Sequence, residues 1–365
     1  MMVVSKQYQI FFDFLRFCIG SESEIPSSLK EADWEELYAI AKKQCLVGVL
    51  FDGIKKLPAE QVGMKMGLLF QWIAKNRMLE KANVRLNDAA IQVSEWFRKK
   101  GFRTCILKGQ GNALMYPNPY SRTPGDIDIW VEGGDKRVIS FVRSISPHEK
   151  ACYHHIEFPP YKGVEVEVHY RPSFLLCFWH NRMLQNFYER MKEEQFSHRV
   201  MLGKQGEIAI PTVEFNLIFQ LTHIYAHLMN EGIGLRQLLD YYYVLISDDL
   251  LLIRDRVQKE LKELGLWKFA GAIMYIMQEV FGMPASRLIV PPNEKYGKFV
   301  LNEVLEAGNF GKHDARNRFG KSQLGHNLQR AYRDIRLVRY FPAEALCEPL
   351  FRIWHFFWRK SVSIR

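Results

Sequence analysis

Residues 164–170 read Val-Glu-Val-Glu-Val-His-Tyr, a strict alternation that an extended strand satisfies, because successive side chains in a strand point to opposite faces. Glu165, Glu167 and His169 therefore share one face and the three valines the other. Such a strand needs sheet neighbours and an apolar layer to cover the valines. Yet the spacing on either side of it is helical. Residues 7–19 carry Ile10, Phe11, Phe14, Leu15 and Phe17 on one face, and residues 30–43 carry Trp34, Leu37, Tyr38 and Ala41. Residues 64–100 predict two helices or one long bent one, ending at Gly101 after Lys99 and Lys100. Helical spacing resumes at 212–228, 235–247, 251–264, 267–281 and 298–305. Between these blocks lie strands predicted at 102–107, 126–131, 153–158 and 164–170, with short helices at 112–116 and 135–144. The expected fold class is α+β: a small mixed sheet flanked by N- and C-terminal helical regions. The expected division is 1–85, an N-terminal helical region; 86–205, the core with the sheet; and 206–365, a C-terminal helical region with a basic tail.

The second of these strands is entered through Thr123-Pro124-Gly125 and continues Asp126-Ile127-Asp128-Ile129-Trp130-Val131. Asp126 and Asp128 lie on one face, about 7 Å apart, where like charges repel. On their own they read as two solvated acids on an edge strand. A divalent cation, or a pair of them, turns the repulsion into coordination. Two neighbouring elements favour that alternative. Leu107-Lys108-Gly109-Gln110-Gly111 leads from a strand through a glycine turn into a short helix, where backbone N–H groups face an anion and Lys108 adds a charge. One of Glu165 and Glu167, which share a face of the alternating strand, supplies a third carboxylate. Three carboxylates on adjacent strands are what a two-metal phosphoryl-transfer site needs.

Leu107-Lys108-Gly109, Tyr116-Pro117, Arg122-x-x-Gly125-Asp126-Ile127-Asp128-Ile129-x-Val131 and Glu167-Val168-His169-Tyr170-Arg171 together resemble the DNA polymerase beta-like nucleotidyltransferase superfamily, and within it a bacterial branch of uncharacterised nucleotidyltransferases. The motifs span about 70 residues, and a looser likeness extends through His227-Leu228 and Leu235-Arg236-x-Leu238-x-Asp240. The resemblance implies transfer of a nucleoside monophosphate from an NTP to an acceptor hydroxyl, with pyrophosphate leaving. It implies that Asp126, Asp128 and Glu167 are the catalytic and metal-binding acids for two Mg²⁺ ions, with Mn²⁺ as a substitute. Lys108, Gly109, Gln110 and Gly111 would cradle the triphosphate, with Arg122 as a supporting cation. His169, Glu165 and His155 are candidates for support of the acids or contact with the acceptor, itself a small molecule, a protein or an RNA. Two positions depart from the superfamily pattern. Lys108-Gly109-Gln110 stands where Gly-Gly or Gly-Ser is usual, and the third acid is glutamate, with Glu165 competing on the same face. A catalytically inactive nucleotide- or RNA-binding protein with the same fold is the alternative.

The rest of the sequence narrows the classes further. The formal net charge of +10 among 365 residues favours anionic partners. Six scattered cysteines form no C-x-x-C pair, so neither a zinc ribbon nor a disulfide framework is expected. The N-terminus lacks a signal-peptide pattern, and no run approaches the ~18 apolar residues of a membrane span. The expected location is cytoplasmic.

His154, His155 and Glu157 match neither H-E-x-x-H nor zinc-finger spacing. His223 and His227, four apart on a helix, fit a common ligand, a polar stripe or core histidines. From Gly311 onward, twelve Lys/Arg stand against four Asp/Glu. Arg330, Arg333, Arg336 and Arg339 recur every third residue, followed by Phe351, Trp354, His355 and Trp358. Nucleic-acid contact through these arginines, an interfacial or protein-binding helix, and a solvated face above an aromatic seam all fit.

Overall fold

The structure is a computed structural model describing residues 5–204, 206–314, 316 and 323–363. The chain opens with three helices: α1 (Lys6–Ile19), α2 (Trp34–Lys43) and α3 (Val47–Ile54). Ser5 caps α1 by accepting from the Tyr8 backbone N–H, and Gly20 ends it in the left-handed region, where glycine carries no steric cost. Asp33 caps α2 in the same way. The 64–100 block is then one helix, α4 (Met66–Lys99), 34 residues and about 50 Å long. The boundary expected at 85/86 falls inside it. Its two halves nevertheless serve different cores. Leu68, Trp72 and Leu79 belong to the large core with α1–α3, whereas Leu86, Ala90, Val93 and Phe97 lie under the sheet.

The sheet begins with β1 (Thr104–Ile106), passes through the one-turn helix α5 (Gln110–Ala113), and continues with β2 (Ile127–Val131), α6 (Gly134–Ile145), β3 (His155–Tyr161) and β4 (Val164–His169). Spatial order is β1-β2-β4-β3, with β2 and β4 parallel and both outer pairs antiparallel. The parallel register sets Asp128 beside Glu167 and Trp130 beside His169. The antiparallel register sets His155 beside His169. Pro159 and Pro160, just beyond the strand expected at 153–158, lie within β3. β3 is an edge strand, and its ladder is interrupted between Phe158 and Tyr161, so the missing N–H groups break no pairing. The valines of β4, with Ile127 and Ile129, pack on the second half of α4 and on Val138 and Val142 of α6.

Beyond the sheet come α7 (Phe178–Ser197) and a hairpin, β5 (Arg199–Leu202) with β6 (Gly206–Ala209), which the sequence did not announce. α8 (Val213–Asn230), α9 (Leu235–Leu245), α10 (Leu250–Glu263), α11 (Trp267–Phe281) and α12 (Glu294–Ala307) follow close to the expected segments. They pack directly on α1–α3: Phe11, Phe14 and Leu50 share one core with Phe219, Leu238, Met274 and Val304. The two helical flanks are thus a single apolar body, with the sheet set against it. Among the described helices, none is long and apolar enough to cross a membrane.

The basic tail folds into α13 (Gln323–Val338) and α14 (Pro342–Ser363); Arg318, Lys321 and Arg365 lie outside the described residues. The four regularly spaced arginines do not form one exposed face. Steps of three residues drift by about 60° per step on a helix of 3.6 residues per turn. Arg333 is accordingly buried, donating to the Glu231 carbonyl, and Arg336 pairs with Glu303, while Arg330 and Arg339 are exposed. Phe351 and Trp354 pack on Tyr153 as an aromatic seam, with ring centroids 5.6 and 5.4 Å from it. Glu344 of α14 accepts from the backbone N–H groups of Leu176 and Cys177 at the start of α7, joining the tail to the body.

Candidate active site

Asp126 stands one residue before β2 and is exposed; Asp128 is inside the strand, its side chain only 3% accessible. Glu167 reaches them from the adjacent parallel strand. One carboxylate oxygen from each of Asp126, Asp128 and Glu167 lies within 4.8 Å of the others. Glu165, exposed at the start of β4, is outside this group.

Two cations attend Asp128. Lys108, carried by the turn after β1, donates from Nζ to Asp128 Oδ1 at 2.8 Å, and His169 Nε2 lies 2.9 Å from the same oxygen. Burial pushes the Asp128 carboxyl up, but Lys108 and His169 outweigh it and hold the group well below its usual range. Glu167 is also held low: burial opposes this, and the hydrogen bond from His169 prevails. In return, and against the cost of its own burial, His169 is raised to about 9 by Asp128 and Glu167. Asp126 behaves oppositely. The charge on Asp128, and then the cleft walls that keep water from an otherwise solvent-facing side chain, push its carboxyl up against the opposing pull of Lys108, and among the described residues it forms no ion pair. This carboxylate calls for a cation. An all-oxygen donor set with that electrostatic deficit fits a hard divalent ion.

The cleft in front of the acids is lined by Lys108, Gly109, Asp126, Asp128, His223 and Arg236, with Arg122 and Asp240 behind them. Gly109 takes φ 57° and ψ −109°, a backbone that L side chains avoid, and so turns the chain from β1 into α5. Gly111 is buried against Ile210. Gln110 points away from the cleft, donating to Asn87 of α4. Arg122 is fully engaged behind the cleft. Its guanidinium forms a two-bond pair with Asp240 of α9, from Nε at 2.8 Å and from Nη2 at 2.7 Å, and Tyr116 donates to the same carboxylate at 2.7 Å.

Sequence reasoning missed Arg236 as a cation at the cleft. Arg236 is buried at the cleft, donates from Nη1 to the Thr123 carbonyl at 3.1 Å, and leaves Nε without a partner. Burial, followed by repulsion from Arg122, lowers its affinity for a proton. Four residues before Asp240 on a helix, it reads in sequence as that acid's own partner. Arg122 takes the carboxylate instead. His223 is the other omission: Lys108 Nζ lies 3.2 Å from its Nε2, so the histidine at first set among alternatives helps to place the lysine. His227 continues the row and pairs with Glu231. On the far side of Asp126 and Phe310, a second cleft is acidic, lined by Glu149, Glu157, Glu165 and Glu167, with Arg85 at its rim.

A small mixed sheet, with a D-x-D at the head of its central strand and a third acid in register on the parallel neighbour, brings three carboxylates to one cleft. Residues 30–282 match the family of uncharacterised nucleotidyltransferases, and the chain belongs to it. Among solved structures, an antigenic nucleotidyltransferase-like protein from Paracoccidioides brasiliensis is 15% identical, over 50% of this chain and 92% of its own, with a TM-score of 0.27. No curated protein matches the sequence.

Proposed function

We propose that the protein transfers a nucleoside monophosphate from an NTP to an acceptor hydroxyl, releasing pyrophosphate, with Mg²⁺ or Mn²⁺ held by Asp126, Asp128 and Glu167. The observation that carries this is the convergence of the three carboxylates from two parallel strands, one of them with no cation of its own. The ions would neutralise the phosphate oxygens and the charge that develops as pyrophosphate leaves.

The chain's own residues have separable tasks. Lys108 offers its charge on the same side as the cleft's glycine turn, so the triphosphate lies there. Arg236 lines the same space with a buried guanidinium whose Nε has no hydrogen-bond partner, whereas Arg122 fixes α9 and thereby the position of Arg236. Glu167 opens toward the acidic cleft and accepts the hydrogen bond of the incoming hydroxyl, orienting its oxygen toward the α-phosphorus. Four glutamates beside that entrance disfavour a polyanionic acceptor such as RNA and favour a neutral or cationic one.

The test is incubation of the protein with α-labelled NTPs and Mg²⁺ in fractionated lysate. Label should move to an acceptor with matching release of pyrophosphate, and should stop on chelation. Label-free fractions across all four NTPs, with NTP binding intact, would favour the inactive binding protein instead. Arg236→Ala should weaken NTP affinity by about 10-fold or more, the magnitude of a charge-assisted contact, and leave folding intact. Calorimetric titration with a non-hydrolysable NTP reads both the wild type and the variant.

A further inference from the structure

Next to the acids lies a second donor set of different chemistry, built by the other edge of the same strands. β3 and β4 pair antiparallel with His155 opposite His169, and Glu167 is two residues before His169 on the same face. One donor atom from each of His155, Glu167 and His169 lies within 4.8 Å of the others. His155 Nδ1 and His169 Nε2 each stand 3.4 Å from Glu167 Oε2. For metal–ligand bonds of about 2.0–2.1 Å, the edge of a coordination tetrahedron is roughly 3.3–3.4 Å, so two of the three separations are already at coordination distance. We propose that His155, Glu167 and His169 form a binding site for a borderline divalent transition-metal ion, Zn²⁺ in kind, which abuts the carboxylate triad and shares Glu167 with it.

The ligand types choose the ion. Two imidazole nitrogens and one carboxylate suit zinc and its neighbours in the first transition row, whereas Mg²⁺ takes six oxygens and keeps much of its water. The surroundings are arranged as around metal-bound histidines, whose second ring nitrogen is normally held by a carbonyl or similar group. His169 Nδ1 faces the Arg171 carbonyl at 3.4 Å, which turns Nε2 toward Glu167. His154 Nδ1 faces Cys152 Sγ at 3.5 Å, and its Nε2 lies 3.0 Å from His155 Nδ1, next in line as a fourth donor. Asp128 Oδ1, 2.9 Å from His169 Nε2, closes the opposite side and is the group that the ion displaces or joins. The set is scattered as 155, 167 and 169, with His154 beside it, so no zinc spacing in the sequence reveals it. It exists only because a sheet brings two strands into register.

The site stands whether or not nucleotide transfer occurs, and is tested without nucleotide. Full-length protein is titrated with Co²⁺, whose visible ligand-field spectrum distinguishes four- or five-coordinate nitrogen-bearing sites from octahedral oxygen sites. The expected result is one equivalent bound with an intense low-coordinate spectrum, displaced by Zn²⁺ and insensitive to a large excess of Mg²⁺. His155→Ala should lower Co²⁺ affinity by about 100-fold or more. His155→Cys controls for folding: it restores binding and adds a thiolate charge-transfer band. An octahedral spectrum that is abolished by Asp126→Asn and untouched by His155→Ala overturns the proposal, as does absence of Co²⁺ binding in the folded wild type.

Discussion

Asp128→Asn is expected to lower the rate of nucleotide transfer by about 10³-fold or more, since each metal-held charge at such a site contributes several kcal/mol to the transition state. The asparagine keeps the shape of a side chain that is almost wholly buried and removes its charge. Lys108 and His169, both aimed at Oδ1, then face a neutral amide. Asp128→Asn is therefore expected to lose stability as well as activity. Asp126→Asn separates the two effects. Asp126 has its carboxyl raised by Asp128 and has no paired cation among the described residues. A group bound more tightly to its proton in the folded state opposes folding once ionised, so the neutral variant should melt higher than wild type in metal-free buffer at neutral pH. The gain should disappear in acid, where Asp126 is protonated in either case. Its activity should nonetheless fall as far as that of Asp128→Asn. Pyrophosphate release and thermal unfolding across pH check both variants. Equal loss of activity with opposite shifts in stability marks a site whose acids are arranged for a cation.

The largest expected effect on stability lies behind the cleft. Asp240→Ala removes the carboxylate that accepts two bonds from Arg122 and one from Tyr116, all in a region where the ion pair is 4% and 6% accessible. Arg122 and Arg236 then share a buried space with the opposite charge gone. Breaking a buried pair from one side costs about 3–5 kcal/mol, a large part of the ~5–15 kcal/mol that holds a folded domain together. The denaturation midpoint in urea should drop accordingly, with an unchanged slope. Arg122→Met combined with Asp240→Leu should recover most of the loss, because an apolar pair of similar volume leaves no orphaned charge. NTP affinity should not recover with it. In that double variant the Arg122–Asp240 tie between α9 and the turn before Asp126 is gone, and the bond from Arg236 to the Thr123 carbonyl is left to place Arg236 less firmly.

The strand carrying Glu167 and the D-x-D strand were legible because a two-residue period cannot be mistaken for a helix over that length. The long helices were legible for the converse reason, and α8 to α11 fall within a few residues of the expected segments. The β5–β6 hairpin was not, since two four-residue strands with polar neighbours carry too little periodicity to register. The site divides in the same way. Asp126, Asp128, Glu167 and Lys108 are local to motifs, and the sheet sets them side by side. Arg122 stands near the acids in sequence, yet its charge is paired with Asp240, more than a hundred residues along the chain. Long-range pairing also hid Arg236 and the cross-strand contact of His155 with Glu167. For the tail, a one-dimensional count of arginines overstated the exposed charge, because helix rotation turns Arg333 and Arg336 toward Glu231 and Glu303.

Helix α4 has a practical bearing on how this protein can be taken apart. Leu68 and Trp72 at one end are set in the helical body, and Val93 and Phe97 at the other underlie the sheet, within a single uninterrupted rod. The fragment 86–205 would cut that rod in the middle, leave the sheet on a free-ended half-helix and lack α9, which carries Arg236. Expression of the strand unit alone therefore yields an orphan half-site, and limited proteolysis of the intact chain should spare α4 until the whole fold gives way in one transition.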